Sequence, residues 1–302
     1  MPTPEERRRG VPVDSEQLGE QFEQHRAHLR AVAYRMLGSA SEADDAVQES
    51  WIRLGRTDLG AVENLRAWLT TVVARVCMDM LRTRTSRRED PLDTHVPDPV
   101  VTRADLNPES DAMVADSVGL ALLVVLETLE PAERLAFVLH DVFGMTFDEI
   151  APIVDRSSVA ARQLASRARR RVQKAPSADR DLHQQRRVVE AFLAAVREGD
   201  FEGLVAVLDP DIVLRADGGA HGPSRIVRGA RAVASQASGF SRLGLINQIV
   251  LVNGNIGVLA RRPDGEPFSV VAFTIAGGRV VEMDILANPE RLRRLDLSVI
   301  ER

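Results

Sequence analysis

The apolar pattern of this 302-residue chain changes its period part-way along, and no single core can serve both halves. Up to about residue 172 apolar side chains recur at helical spacing, as in "LGEQFEQHRAHLRAVAYRMLG" and "NLRAWLTTVVARVCMDMLRTRTSRR". From residue 245 onward β-branched runs take over, "LINQIVLVNGNIGVLARR" and "PFSVVAFTIAGGRVVEMDIL", joined by Asn-Gly and Gly-Gly turns. That is the pattern of antiparallel strands. The length also favours two or three compact units over one.

Proline and acid placement supplies the boundaries. Residues 1–17 are expected to be disordered, and 18–88 form a helical unit. In its first helix Leu18, Phe22, His25, Leu29, Val32, Ala33, Met36 and Leu37 share a face. Ser41 is the expected cap of the second, whose stripe is Ala43, Val47, Trp51 and Leu54. Leu65, Trp68, Leu69, Val72, Val76 and Met80 form the buried side of the third. Residues 89–112, with four prolines and many acids, read as an extended linker. Residues 113–174 form a second helical unit, 175–181 a second linker, 182–295 an α+β unit, and 296–302 a tail. The fold class is therefore multi-domain: two all-α units followed by an α+β unit.

The chain carries a formal net charge of -5, yet Arg156 to Lys174 holds seven basic residues and no acid. Locally this is a helix-turn-helix. Thr146 and Glu149 make a capping box, Phe147, Ile150, Ile153 and Val154 face inward, Asp155–Arg156 turn, and Ser157 caps a second helix. In that helix Val159, Ala161, Leu164, Ala165, Ala168 and Val172 are the apolar and small positions. Arg162, Gln163, Ser166, Arg167 and Arg170 are left for the outer face, and Arg and Gln are the side chains that read guanine and adenine edges. A solvated basic helix, or one docked on an acidic protein, is the other reading of the charge run. The two capped helices favour DNA. Pro152, inside the first helix, is expected to remove a hydrogen bond and kink it.

Other classes find little support. The single cysteine, Cys77, excludes an internal disulfide framework and a cysteine-rich zinc site, and no metal or cofactor is expected. The N-terminal "MPTPEERRRGVPVDSEQ" lacks the apolar core of a signal peptide, and no apolar run approaches the ~18–20 residues of a membrane span. A cytoplasmic protein without membrane contact is expected.

Three stretches in order, "AYRMLGSASEADDAVQESWIRL", "NLRAWLTTVVARVCMDMLR" and "LETLEPAERLAFVLHDVFGMTFDEIAPIVDRSSVAARQLASRARRRV", resemble regions 2 and 4 of sigma factors of the extracytoplasmic-function (ECF) class, over about 18–174. The resemblance implies partners and roles. Asp44, Asp45, Gln48 and Glu49 would dock on the clamp helices of the RNA polymerase largest subunit, and "LEPAERLAFVLHDVFG" would touch the β flap. Asn64, Arg66, Arg75, Arg82 and Arg84 would contact the non-template strand and phosphates at the −10 element, with 56–63 as the loop that captures bases. Ser157, Ser158, Arg162, Gln163, Ser166, Arg167, Arg170 and Arg171 would lie in the −35 major groove. Asp155 stands where glycine is common in that family's turn.

The last unit resembles the SnoaL-like, NTF2-like fold, helices against a curved sheet with a conical pocket. Its combination with sigma regions resembles the sigma-J-like subgroup. That subgroup pairs a D-G-G-G-K-like tail motif with a W-L-P-E-P-like linker motif. The corresponding residues here are Asp217, Gly218, Gly219 and His221, and Pro97, Asp98 and Pro99. The implied role is a tail that modulates sigma activity through the linker. Two alternatives remain open: a polymerase-independent DNA-binding regulator with a ligand-sensing tail, and a tail-borne cyclase or isomerase using Asp217, His221 or Asp284. An unknown small-molecule ligand of the tail is compatible with either regulatory reading.

Overall fold

The computed structural model describes residues 15–57, 62, 64–87, 96–104, 119–176, 178–217 and 224–301. The N-terminal residues 1–14, most of the expected base-capturing loop, and Gly218, Gly219 and His221 lie outside the described residues. The chain divides into two compact units. One combines the chain up to Arg87 with Glu130–Ala168, and the other combines Arg88–Leu129 with Arg169–Arg302.

The first unit is all helix: α1 (Ser15–Leu37), α2 (Ala40–Leu54) and α3 (Leu65–Arg87). α1 buries Phe22, Leu29, Val32, Ala33, Met36 and Leu37, and Trp51 of α2 packs on Phe22 with ring centroids 5.0 Å apart. Ser39, rather than Ser41, caps α2. Gly38 turns the chain at φ 69, which leaves Ser39 extended with its hydroxyl accepting from the Glu42 amide. α3 buries Leu69, Val73, Cys77 and Met78 as well as Val72 and Val76, while Met80 is only half-buried. This spread arises because α3 also packs against α5 (Pro131–Phe137) and α6 (Phe147–Val154). A π-helical turn, Val138–Val142, follows α5. Burial pushes the Cys77 thiol up, so it is an inert core residue.

α6 and α7 (Ser158–Val172) form the expected helix-turn-helix. Both halves of the Thr146–Glu149 capping box are made. α6 continues past Pro152 to Val154, because the proline ring lies exposed and the lost bond involves only the Asp148 carbonyl in the first turn. Asp155 closes the helix in the left-handed region, φ 57 and ψ 52, the conformation for which glycine is the usual choice.

The second unit is built on a seven-stranded sheet in the order β1-β4-β5-β6-β7-β2-β3. Its strands are β1 (Val101–Arg103), β2 (Leu208–Ala216), β3 (Arg225–Arg228), β4 (Ile246–Val252), β5 (Asn255–Arg261), β6 (Pro267–Ala276) and β7 (Arg279–Leu286). All pairings are antiparallel except β2 with β7. Helices α8 (Leu182–Glu198), α9 (Phe201–Val207) and α10 (Ala230–Phe240) bury their apolar sides in this unit's core. Phe192 of α8 meets Phe273 of β6 edge-on, centroids 5.5 Å apart. A helix α4 (Leu120–Glu127) packs against β7, and two short helices, α11 (Pro289–Leu292) and α12 (Ser298–Glu301), close the chain. The first strand, β1, comes from the linker, more than a hundred residues before the strand it pairs with.

Candidate promoter, polymerase and linker surfaces

In α7 the apolar positions Ala161, Ala165 and Ala168 are fully buried, and alanine lets the helix approach its neighbours closely. Arg162, Gln163, Arg167 and Arg170 are exposed on the other side, and Ser166 is half-buried. Ser157 caps the helix through the Ala160 amide at 3.2 Å, and the Ser158 hydroxyl donates to Asp148 of α6. Arg162 is held over the Phe147 ring at 5.3 Å, and His140 stacks on the same ring with centroids 3.9 Å apart and its Nδ1 2.8 Å from the Met145 carbonyl. His140 is thus a packed residue. Arg167 pairs with Glu133 at 2.9 Å, and Arg171 donates to the Thr128 carbonyl at 3.1 Å. Val159 does not face inward as expected: it is 67% exposed, one turn ahead of Arg162 and Gln163. Its position near the helix start, before the stripe of alanines begins, explains the difference. An exposed valine there suits a thymine methyl group.

On α3 Asn64 is exposed and accepts from the Ala67 amide at 3.0 Å, so it caps the helix. Arg66, Arg75 and Arg82 are exposed. Arg66 donates to His28 Nδ1 at 3.3 Å. His28 Nε2 in turn meets Thr70 Oγ1 at 3.0 Å, whose own proton goes to the Arg66 carbonyl. This chain fixes the imidazole tautomer with the proton on Nε2. Arg84 is half-buried and engaged internally, with the Leu37 carbonyl at 3.0 Å and with Glu42. It braces the three helices, a role that its spacing in the sequence does not reveal.

On α2 Asp44, Asp45 and Gln48 are exposed and Glu49 is half-buried. Asp44 accepts from Arg30 Nε at 2.7 Å, and Glu49 from Arg53 Nε at 2.9 Å. Ile52, 41% exposed, continues the Asp45–Gln48–Glu49 face by one more turn. Sequence patterning had no reason to single it out, yet it gives the polar face an apolar anchor.

Within the same unit, residues from the two helical regions interlock. Arg134, buried at the start of α5, donates to the Met36 carbonyl at 2.8 Å. Phe143 meets His28 edge-on at 5.3 Å and receives the Arg35 guanidinium at 5.1 Å.

In the second unit the linker is part of the sheet. Val101, Thr102 and Arg103 pair with Val252, Leu251 and Val250. The Asn253–Gly254 turn, with φ 49 and 78, closes the β4–β5 hairpin as its sequence requires. Asn253 also exchanges two bonds with Val100, its amide to the Val100 carbonyl at 2.8 Å and the Val100 amide to its Oδ1 at 3.0 Å. Pro97, Asp98 and Pro99 are buried against this unit. Arg291 of α11 donates to Asp98 Oδ1 from Nε at 2.8 Å and Nη2 at 2.5 Å, and to the Val96 carbonyl. Its Nη1 lies 3.5 Å from Asp217 Oδ2. Asp217 Oδ1 accepts the Ala287 and Asn288 amides at 2.6 and 3.2 Å. Burial raises the Asp217 carboxyl, against the opposing pull of those amides and of Arg291. Arg291 was absent from the sequence candidates. Its signal was the Asn288-Pro289 start of α11, where Asn288 caps and sets the helix direction.

The carboxylates named for catalysis are differently placed. Asp284 sits between Met283 and Ile285, which line the unit's main cavity, so strand alternation puts it on the opposite face. There it meets Arg215 at 3.0 Å, which also holds Glu282 at 2.8 Å. Burial pushes Asp284 up to about 6 despite the nearby guanidinium. Among the described residues no cluster of metal-ligating side chains occurs, and no helix is long and apolar enough to cross a membrane.

A capped basic helix-turn-helix, a helical unit with an acidic exposed face, and an α+β tail that incorporates the linker define a sigma-type transcription initiation factor with a C-terminal α+β domain. Residues 21–87 match Sigma-70 region 2, and residues 119–172 match Sigma-70, region 4. The chain belongs to the ECF sigma-70 family of RNA polymerase sigma factors. It is 39% identical over 289 residues to the ECF RNA polymerase sigma factor SigJ of Mycobacterium tuberculosis, covering 90% of this chain and 92% of that one. It is 35% identical over 275 residues to the probable ECF RNA polymerase sigma factor SigI of the same species, covering 89% and 92%. The crystal structure of M. tuberculosis SigJ superposes with a TM-score of 0.72 at 36% identity, covering 92% of this chain and 99% of that one.

Proposed function

We propose that this chain directs core RNA polymerase to promoters with −10 and −35 elements, and that its tail restrains it by holding the linker between regions 2 and 4. In this reading the Asp45–Gln48–Glu49–Ile52 face of α2 docks on the polymerase clamp helices. Asp44 extends that face at its Arg30-paired end. α3 presents Asn64, Arg66, Arg75 and Arg82 to the −10 element, α7 enters the −35 major groove, and the helices before it meet the β flap. The protein works in the cytoplasm and catalyses no reaction of its own. Asp217 spends its carboxylate on two backbone amides and Arg291, and Asp284 spends its own on Arg215, so neither is available as a base.

The observation that carries the regulatory part is the immobilised linker: Val96–Arg103 is bound by a strand ladder, by Asn253 and by Arg291. The −10 and −35 elements lie ~25 base pairs apart, which at ~3.4 Å per pair is ~85 Å. A folded unit of about 100 residues has a radius of gyration of only ~13 Å. Regions 2 and 4, interlocked here through Arg134 and Met36, must therefore part on the promoter. Holding the middle of the connecting chain on the tail opposes that parting. The test is promoter-directed transcription by the full chain against Arg291→Ala, with core polymerase binding measured alongside. The reading expects more transcript from the variant at equal core binding. Less transcript would reverse the sign assigned to the tail.

A further inference from the structure

The arginines of α7 are held in different ways. Arg167 commits its guanidinium to Glu133 of α5 at 2.9 Å. Arg162 instead lies over the Phe147 ring, its guanidinium carbon 5.3 Å from the centroid. Among the described residues no acceptor engages its N–H groups. The attraction between a cation and a ring uses no hydrogen-bond donor. Such a contact fixes a guanidinium while leaving its donors for something else. Two parallel donors of an arginine match O6 and N7 of guanine in the major groove.

Phe147, half-buried at the start of α6, is itself fixed by His140. The two rings stack with centroids 3.9 Å apart and planes at 30°. His140 belongs to the π-helical turn Val138–Val142, and its Nδ1 lies 2.8 Å from the Met145 carbonyl. A carbonyl only accepts, so Nδ1 carries the proton. The Met145 amide returns to the Leu139 carbonyl at 2.9 Å, which ties the loop to the residue before the histidine. π-helical turns are rare and recur at functional sites. One hydrogen bond and two ring contacts thus run without a break from this loop to the exposed side of α7.

We propose that His140 and Phe147 are positioning residues for base reading, and that the stacked pair holds Arg162 in the rotamer that reaches a guanine of the −35 element. This rests on the reading of α7 as the helix that enters the −35 major groove. A free arginine loses rotamer freedom when it reaches a base, and a side chain held beforehand loses less. The gain is confined to the base pair that Arg162 meets. Gln163, the next exposed residue, reads its own base without help from the ring.

The test is selection of bound sequences from a pool of random duplex DNA by the full chain, with and without core RNA polymerase, and sequencing of the bound fraction. The wild type should enrich an element with a guanine column whose preference Arg162→Ala abolishes. That column marks the base Arg162 meets. Phe147→Leu keeps apolar bulk and removes the ring. It should lower the guanine preference at that column about two- to fivefold, the worth of an exposed cation–π contact, and leave the other columns within about twofold. Phe147→Trp, with the best ring for a cation, should retain the preference. His140→Asn keeps a donor for the Met145 carbonyl and removes the stacked ring. It should act in the same direction as Phe147→Leu, and it replaces that variant if circular dichroism shows Phe147→Leu unfolded. A guanine preference that Phe147→Leu and His140→Asn leave unchanged overturns the positioning role. Flattening of all columns alike overturns it too, since that is the mark of structural support. So does a guanine column that survives Arg162→Ala. A wild type that enriches no element in either setting overturns the −35 reading itself, and the positioning role with it, so the two failures are distinguishable.

Discussion

Asp98 and Arg291, 193 positions apart in sequence, are joined by two hydrogen bonds from one guanidinium to one carboxylate oxygen, at 2.8 and 2.5 Å. Their side chains are only 13% and 19% exposed, so the pair is shielded from solvent and from salt. It links the segment between the sigma regions to the short helix α11 that follows the last strand of the sheet.

Removing either partner leaves the other charge partly buried. Arg291→Ala should lower the stability of the tail unit by about 2 kcal/mol, the usual range for a charged hydrogen bond in such a setting. The local consequence is sharper. Amide hydrogen exchange at Val101–Arg103 should accelerate well beyond that at β5 and β6, because β1 is a three-residue edge strand that depends on this anchor. Exchange that rises uniformly through the sheet would show that Arg291 supports the whole tail instead.

Val159 and Arg170 should separate by salt dependence. Val159→Ser removes an apolar contact and should weaken specific promoter binding about fivefold with no change in the salt slope, since no phosphate contact is lost. Arg170→Ala should weaken all sequences alike and reduce the slope of log K against log salt by about 0.9. Fluorescence anisotropy across a salt series distinguishes the two.

The α2 face should govern polymerase affinity. Asp45→Arg reverses a charge at an exposed site that no internal pair uses among the described contacts, so folding is preserved. Core polymerase binding should drop about tenfold or more, largely through slower association. Ile52→Ala should act on dissociation instead. Surface plasmon resonance resolves both rates.

Asp284 gives the tail a pH dependence. Its carboxyl is raised to about 6, from an ordinary value near 3.8, mainly by burial. The folded state therefore holds the proton more tightly than the unfolded state does. Stability from this group is fully present below about pH 4 and is lost as pH rises through about 6. The raised Asp217 carboxyl acts in the same direction. Denaturant melts between pH 4 and 7 should show tail stability falling with pH, and Asp284→Asn should flatten that slope.

Arg134 tests the closed form of the first unit. It lies buried at the α5 start with its bond to the Met36 carbonyl. Arg134→Ala should loosen region 4 from region 2 and tighten core polymerase binding, because less closure has to be undone. Binding unchanged while stability falls would mean that the contact persists in the polymerase complex.

Local chemistry was legible in the sequence wherever a pattern determines its own backbone. The Thr146–Glu149 box, the Asn253–Gly254 turn and the α1 apolar face all formed as read. The linker's extended course followed from Pro97 and Pro99. What escaped were relationships fixed only by tertiary contact. Val101–Arg103 could become a strand only because β4 offered an unpaired edge. Arg84 and Arg167 looked like neighbours of Arg82 and Arg170, yet Glu42 and Glu133 face the first pair from other helices. Arg291 had no motif of its own, since its meaning lies in Asp98. Val159 looked apolar and was placed inside; only the packing of α7 shows that it points outward.

The most direct measurement is run-off transcription from sheared genomic DNA with purified core polymerase, comparing no added protein, the full chain and the Arg291→Ala variant. The account predicts discrete promoter-dependent transcripts with the full chain, and the same start sites at higher yield with the variant. Transcripts no different from core polymerase alone, in both forms and with no core binding, would contradict it.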